Sequence, residues 1–159
     1  MKRAMQMLGS SVLLAFAPMA NAHDAVDPAA LRVASGFAAL AGSQDNAVAL
    51  ACALHEGTTA RLFSQDDTDP SALPDFVVFD PPTGPMGWND VKMALMLARD
   101  ALRRHAIARP KLYELQAVLL GGEITSPAGV PATLRGVLRM RADGFNWGAI
   151  AAERYRRSD

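Results

Sequence analysis

Few residues in this chain are of a type and spacing that could do chemistry. His55-Glu56 begins the pattern in which two histidines one helical turn apart hold zinc and the glutamate acts as base. Position 59 is Thr59, so the second ligand is missing. The chain has three histidines and one cysteine, Cys52. A lone thiol closes no internal disulfide, and Cys52 reads as a small buried apolar side chain, with a covalent dimer as the alternative. There is no Cys-x-x-Cys pair, no Gly-x-Ser-x-Gly elbow, and no glycine loop followed by Lys-Ser/Thr to cradle a phosphate. The sequence therefore assigns no catalytic residue, no metal site and no cofactor.

Two further groups of residues have metal-binding chemistry but a simpler reading. If the chain is processed before His23, its free amine and imidazole would together suit Cu²⁺, with His55 or His105 as further ligands. A frayed terminus is the simpler reading. Asp66, Asp67 and Asp69 offer hard oxygens to Ca²⁺, but the segment lacks the glycine and the closing glutamate of an EF-hand loop. It reads as a solvated acidic loop. Met86, Met93, Met96 and Met140 fall at helical spacing, where methionine usually fills gaps in a core; a soft binding groove is the alternative if the long helix is exposed.

The stretch "RADGFNWGAIAAERYRR" has a polar, glycine-bearing turn between two helical patterns, as in a DNA-reading helix-turn-helix. Arg154, Arg156 and Arg157 would then reach phosphates. The same turn also packs any two helices, and likeness of form does not carry function. From Arg135 onward six arginines stand against three acids, a local excess suited to an acidic protein or an anionic envelope polymer. Those three arginines are the expected partner contacts. Trp88 and Trp147, each followed three residues later by Val91 or Ile150, are the expected structural anchors.

Positioning these residues falls to the elements around them. Residues 1–22 carry Lys2 and Arg3, a short apolar core centred on Val12 to Ala17, and Ala20-Asn21-Ala22, a small-x-small cleavage pattern. That core is too short to span a bilayer, which takes about 20 apolar residues. They are expected to be a signal peptide, leaving one domain over residues 23–159 that is exported to the periplasm or secreted. The signal holds two of the 16 basic residues and none of the 16 acidic ones, so the mature chain keeps 14 against 16, a formal charge of −2. That balance disfavours a general nucleic-acid binder.

Asp27-Pro28 reads as a helix cap and first turn, with Leu31, Ala34, Phe37 and Ala38 inward on one helix that ends at Gly42. Ser43 caps a second helix that stops at Gly57, with Ala47, Leu50, Ala51 and Leu54 inward. Residues 58–63 and 76–79 read as short, paired strands. Trp88 opens a long helix that is apolar nearly all round, the mark of a central and buried element. Residues 110–120 give another helix, with Leu112, Leu115 and Leu119 inward; the stretch after Gly121-Gly122 is a small hairpin or a loop. Helices over 133–143 and 147–156 close the chain. The expected fold is mainly α, five or six helices around one core with a small β-hairpin-like element.

"PTGPMGWNDVKMALMLA" and "MRADGFNWGAIA" resemble two segments of an uncharacterised group of small exported bacterial proteins, of the forms P-T-G-x-M-G-x-G-N-V-x-x-A-L-x-L-A and M-R-A-x-G-M-G-W-G-x-I-A. "AGSQDNAVAL" is also similar to that group. The chain departs from the first form at Trp88, Asn89 and Asp90 and from the second at Phe145 and Asn146. The resemblance implies bacterial origin and export, and it transfers no site residues. The expected function is that of an exported, non-enzymatic helical protein that binds a partner in the envelope or outside the cell. The alternatives are a small exported enzyme acting on an envelope polymer, and nucleic-acid binding through the C-terminal corner. Sequencing the N-terminus of the protein recovered from its own cells should give His23 as the first residue. Recovery of an intact Met1 would remove the export expectation.

Overall fold

The structure is a computed structural model and describes residues 27–64 and 76–156, with the side chains of residues 154–156 excepted. Local signals near each end of the helices set most boundaries. Asp27 caps α1 (Pro28–Ala34), its carboxylate accepting from the Ala29 amide at 2.7 Å. A turn through Ser35 and Gly36 leads to the short α2 (Ala38–Ala41). Ser43 caps α3 (Gln44–Glu56) by accepting from the Asn46 amide at 3.1 Å, and Gly57 ends it in the left-handed conformation. β1 (Ala60–Phe63) and β2 (Phe76–Phe79) pair antiparallel, with Phe63 opposite Phe76. α4 (Trp88–Arg104) follows, then α5 (Leu112–Leu120), which Gly121 terminates. β3 (Gly122–Thr125) and β4 (Pro131–Leu134) form a second antiparallel pair. α6 (Val137–Ala142) and α7 (Trp147–Arg156) complete the described chain, with Asn146 capping α7 through the Ala149 amide at 2.8 Å.

The described residues are thus mainly helical, with seven helices and two small strand pairs. Buried leucines and alanines of α3, α4 and α5 join Leu62 of β1, Ile124 of β3, Leu138 of α6 and Ile150 of α7 in one apolar cluster. No described helix is long and apolar enough to cross a membrane. Helices rich in alanine on the buried side, such as α3 with Ala47, Ala51 and Ala53, allow close approach of neighbouring backbones.

Several expectations are corrected. The region 28–41 is two helices, because the turn at Ser35-Gly36 rotates Phe37, Leu40 and Ala41 inward. Leu31, expected inward, is 45% exposed and Ala30 is buried in its place, while Ala34 and Phe37 are buried as expected. α4 is not enclosed all round: Val91, Ala94, Leu95, Ala98 and Leu102 are buried, but Lys92, Met93 and Asp100 face out. Leu97 and Ala101 are buried as well, Met96 packs against the core, and α1, α3, α5, α6 and α7 all contact α4, so its outward residues form one strip on an otherwise covered helix. Residues 133 and 134 lie in β4, and α6 starts only at Val137.

Gly136 explains that late start. It has φ +81°, and a Cβ placed there would sit 2.3 Å from the Gly121 nitrogen and from the Leu120 carbonyl carbon. The chain crosses the end of α5 with no room for a side chain, so the helix cannot begin before the crossing is complete. Gly144 also has positive φ, +91°, yet nothing lies within 4 Å of a Cβ there. The pair separates strain from collision. In urea unfolding, Gly144→Ala should cost about 1 kcal/mol from backbone strain alone. Gly136→Ala should cost about 3 kcal/mol or more, since collision adds to the same strain. Equal losses at both positions would show that the crossing relaxes freely.

Candidate functional site

The two tryptophan-bearing stretches singled out in the sequence come together. Trp88 opens α4 and lies flat on the His55 imidazole, with ring centroids 4.0 Å apart and planes at 19°. The His55 ring presents Nδ1 to the Met86 carbonyl oxygen at 2.7 Å, so Nδ1 carries the proton and donates. In return the Met86 amide donates to the carbonyls of Leu54 and His55 at the end of α3. The loop before α4 thereby satisfies backbone acceptors that a helix end leaves open. Gly57 permits the approach: a Cβ there would be 2.5 Å from the Pro85 nitrogen.

The second corner joins the first. The Trp147 indole donates from Nε1 to Oδ1 of Asp90 at 2.7 Å. The Arg141 guanidinium lies 5.1 Å over the Trp147 ring and donates to the Phe145 carbonyl at 3.2 Å. Arg135 lies over Phe145 and forms an ion pair with Glu153 at 3.4 Å. Exposed to water, that pair contributes little. A small cleft of about 410 Å³ remains between Pro82, Thr83, Met86, Asp90 and Arg141. Its two charged groups are already engaged within the protein.

These contacts define what the corner can do. The His55 imidazole is held by a carbonyl and an aromatic face, and among the described residues neither His55 nor His105 has a hydrogen bond to a carboxylate. Asp90 is turned toward an indole rather than a proton to be abstracted. Among the described residues no three His, Cys, Asp or Glu side chains gather to hold a metal. Burial, then the nearby Glu56 and Asp27 carboxylates, push the half-buried Cys52 thiol above its ordinary value, which suppresses the nucleophilic thiolate.

A different surface carries unspent groups. At one end of the β1–β2 pair a groove of about 870 Å³ runs between the α2–α3 junction, the strand ends and the residues leading into α5. Phe63, Phe76 and Tyr113 on its walls are 52%, 63% and 53% exposed. Phe63 and Phe76 pack on each other across the strands, at 6.3 Å between centroids. The charged groups among its described lining residues are Arg109 and Lys111, both cationic. Lys111 is fixed in place because its amide donates to the buried Glu114 carboxylate at 2.8 Å, in the first turn of α5. The strand register puts Arg61 and Val78 on the same outward face as the two phenylalanines.

Sequence reading missed this groove, since its parts are far apart in the chain. The only local sign was the alternation Arg61-x-Phe63 and Phe76-x-Val78, whose meaning depends on the register. Of the residues chosen from sequence, Trp88 and Trp147 both pack against the core as half-buried side chains. The side chains of Arg154 and Arg156, and residues His23, Asp66, Asp67, Asp69 and Arg157, lie outside the described residues. Comparison with protein-family models, curated proteins and solved structures gives no match.

The indole–carboxylate bond should contribute measurably to stability, because its acceptor is charged and both partners are half-buried. A double-mutant cycle with Trp147→Phe and Asp90→Asn, read by urea unfolding, should give a coupling of about 1.5–3 kcal/mol. A coupling near zero would reduce the corner to packing alone.

Proposed function

We propose that the protein is an exported, non-enzymatic binding protein, and that its partner is a protein presenting an acidic segment with apolar side chains. The observation that carries this reading is the groove beside β1 and β2. Exposed phenylalanines from two paired strands stand next to cations with no carboxylate partner among the described residues. Contiguous exposed aromatic surface rimmed by charge is where partners dock, and aromatic side chains dominate binding energy there. Arg109 and Lys111 supply the charge that an acidic partner would match. The apolar walls favour a protein over a purely ionic polymer, which has nothing to bury against Phe63 and Phe76.

The reading is tested by titrating the intact protein with an end-blocked peptide of alternating glutamate and valine. Binding should weaken about 10-fold with Phe63→Ser and Phe76→Ser together, and by a similar factor when Arg109 and Lys111 become glutamine. Unchanged affinity in both variants removes the groove as the docking surface. Loss only on neutralising Arg154, Arg156 and Arg157 transfers the contact to α7. Equal binding of polyglutamate gives the site to an anionic polymer, and steeply salt-dependent binding of duplex DNA gives it to nucleic acid. Tighter peptide binding after Asp66, Asp67 and Asp69 become serine would give the groove to the chain's own acidic segment.

A further inference from the structure

The two edges of the β1–β2 pair are not equivalent. At Phe63 of β1 the outer edge is closed by a side chain. Asn46, only 5% exposed, accepts from the Phe63 amide at 3.0 Å and donates to the Phe63 carbonyl at 2.7 Å. Its second amide proton goes to the Ala41 carbonyl at 2.9 Å. The carboxamide thus occupies the place that a neighbouring strand's peptide group would take.

The same bonds fix which backbone groups of β2 are open. Phe63 directs both its N–H and its C=O toward Asn46, so the Phe63–Phe76 pair is the non-hydrogen-bonded kind. Pairs alternate along an antiparallel ladder. The bonded pairs are therefore Leu62–Val77 and Ala60–Phe79, and the N–H and C=O of Phe76 and Val78 point away from β1. Among the described residues these groups have no hydrogen-bond partner. Asp80 and two prolines follow, Pro81 and Pro82, so the open edge is short and ends sharply.

We propose that the open edge of β2 takes up an extended segment of the partner as a third antiparallel or parallel strand, an inference that rests on the docking role proposed above. Main-chain bonds to Phe76 and Val78 would supply the affinity of such strand addition, and alternate side chains its specificity. Side chains of the added strand on the outer face meet Phe76 and Val78, and are apolar. Those on the opposite face, the side of Val77, meet the residues leading into α5, where Arg109 and Lys111 stand, and are acidic. The occupant is an extended protein segment with alternating apolar and acidic residues.

The test uses the intact protein, the glutamate–valine peptide, and two versions of it, N-methylated either at every glutamate or at every valine. In a strand only alternate amides face a given neighbour, so one methylated version must lose its bonds and the other keep them. The parent peptide should slow hydrogen exchange at the Phe76 and Val78 amides. One methylated version should bind about 10-fold more weakly or worse, while the other binds as the parent does. Equal binding of all three, without protection, overturns strand addition and leaves side-chain docking in the groove standing. No binding of the parent peptide overturns both. Protection of Phe76 and Val78 in the absence of peptide, appearing with a concentration-dependent dimer, assigns the edge to a second copy and also overturns the proposal.

Discussion

One buried carboxamide governs the side of the molecule that carries the groove. Asn46 sits in the first turn of α3 with both amide protons and its oxygen engaged, linking the end of α2 to the end of β1. An uncompensated amide at that depth would cost about 1–3 kcal/mol, so the bonds are coupled to folding rather than added to it. They decide more than stability. By binding both backbone groups of Phe63 they choose the hydrogen-bonding phase of the ladder, and with it the direction of every peptide group in β2. The same choice puts Phe63 and Phe76 side by side on the open face. Aspartate has the shape to replace asparagine here but lacks the donors, and would set its charge against two carbonyl oxygens.

The contrast between the two surface features follows one physical rule. In the tryptophan corner each polar group is answered from within: imidazole by carbonyl, indole by carboxylate, guanidinium by carbonyl and ring. Such a network holds geometry and leaves little for a ligand. Around the groove Phe63, Phe76 and Tyr113 keep about half or more of their surface exposed, although Phe63 and Phe76 touch and Lys111 lies over the Tyr113 ring, and the cations lack carboxylate partners among the described residues. Unmatched groups at a rigid surface are where free energy of association is available. Rigidity comes from α3 beneath β1 and from the Glu114 carboxylate that holds the start of α5.

What the sequence disclosed was what depends on neighbours in the chain. Asp27, Ser43, Gly57 and Asn146 mark helix ends because a cap acts within three or four residues. The β1–β2 pair was visible for the same reason, as runs bounded by turn formers, whereas the stretch holding β3 and β4 read equally as a hairpin or a loop. Leu31 misled because helical periodicity says which residues share a side and not which side faces inward; the turn at Ser35-Gly36 settled that. The strand β4 was hidden inside a helical pattern because the collision at Gly136 involves Leu120 and Gly121, which no local window contains. The groove was invisible for a stronger version of that reason. It exists only once residues near 42, 63, 76 and 111 are neighbours.

The bond between Trp147 and Asp90 spans 57 positions of the chain. His55 and Met86 lie 31 positions apart, so the first corner closes a much shorter loop than the second and costs less chain entropy to form. α4 and α6 share an apolar seam that the fully enclosed Ile150 of α7 fills. A form of the protein with α7 undocked would therefore keep its first corner and expose that seam, which is the kind of surface a holding chaperone grips.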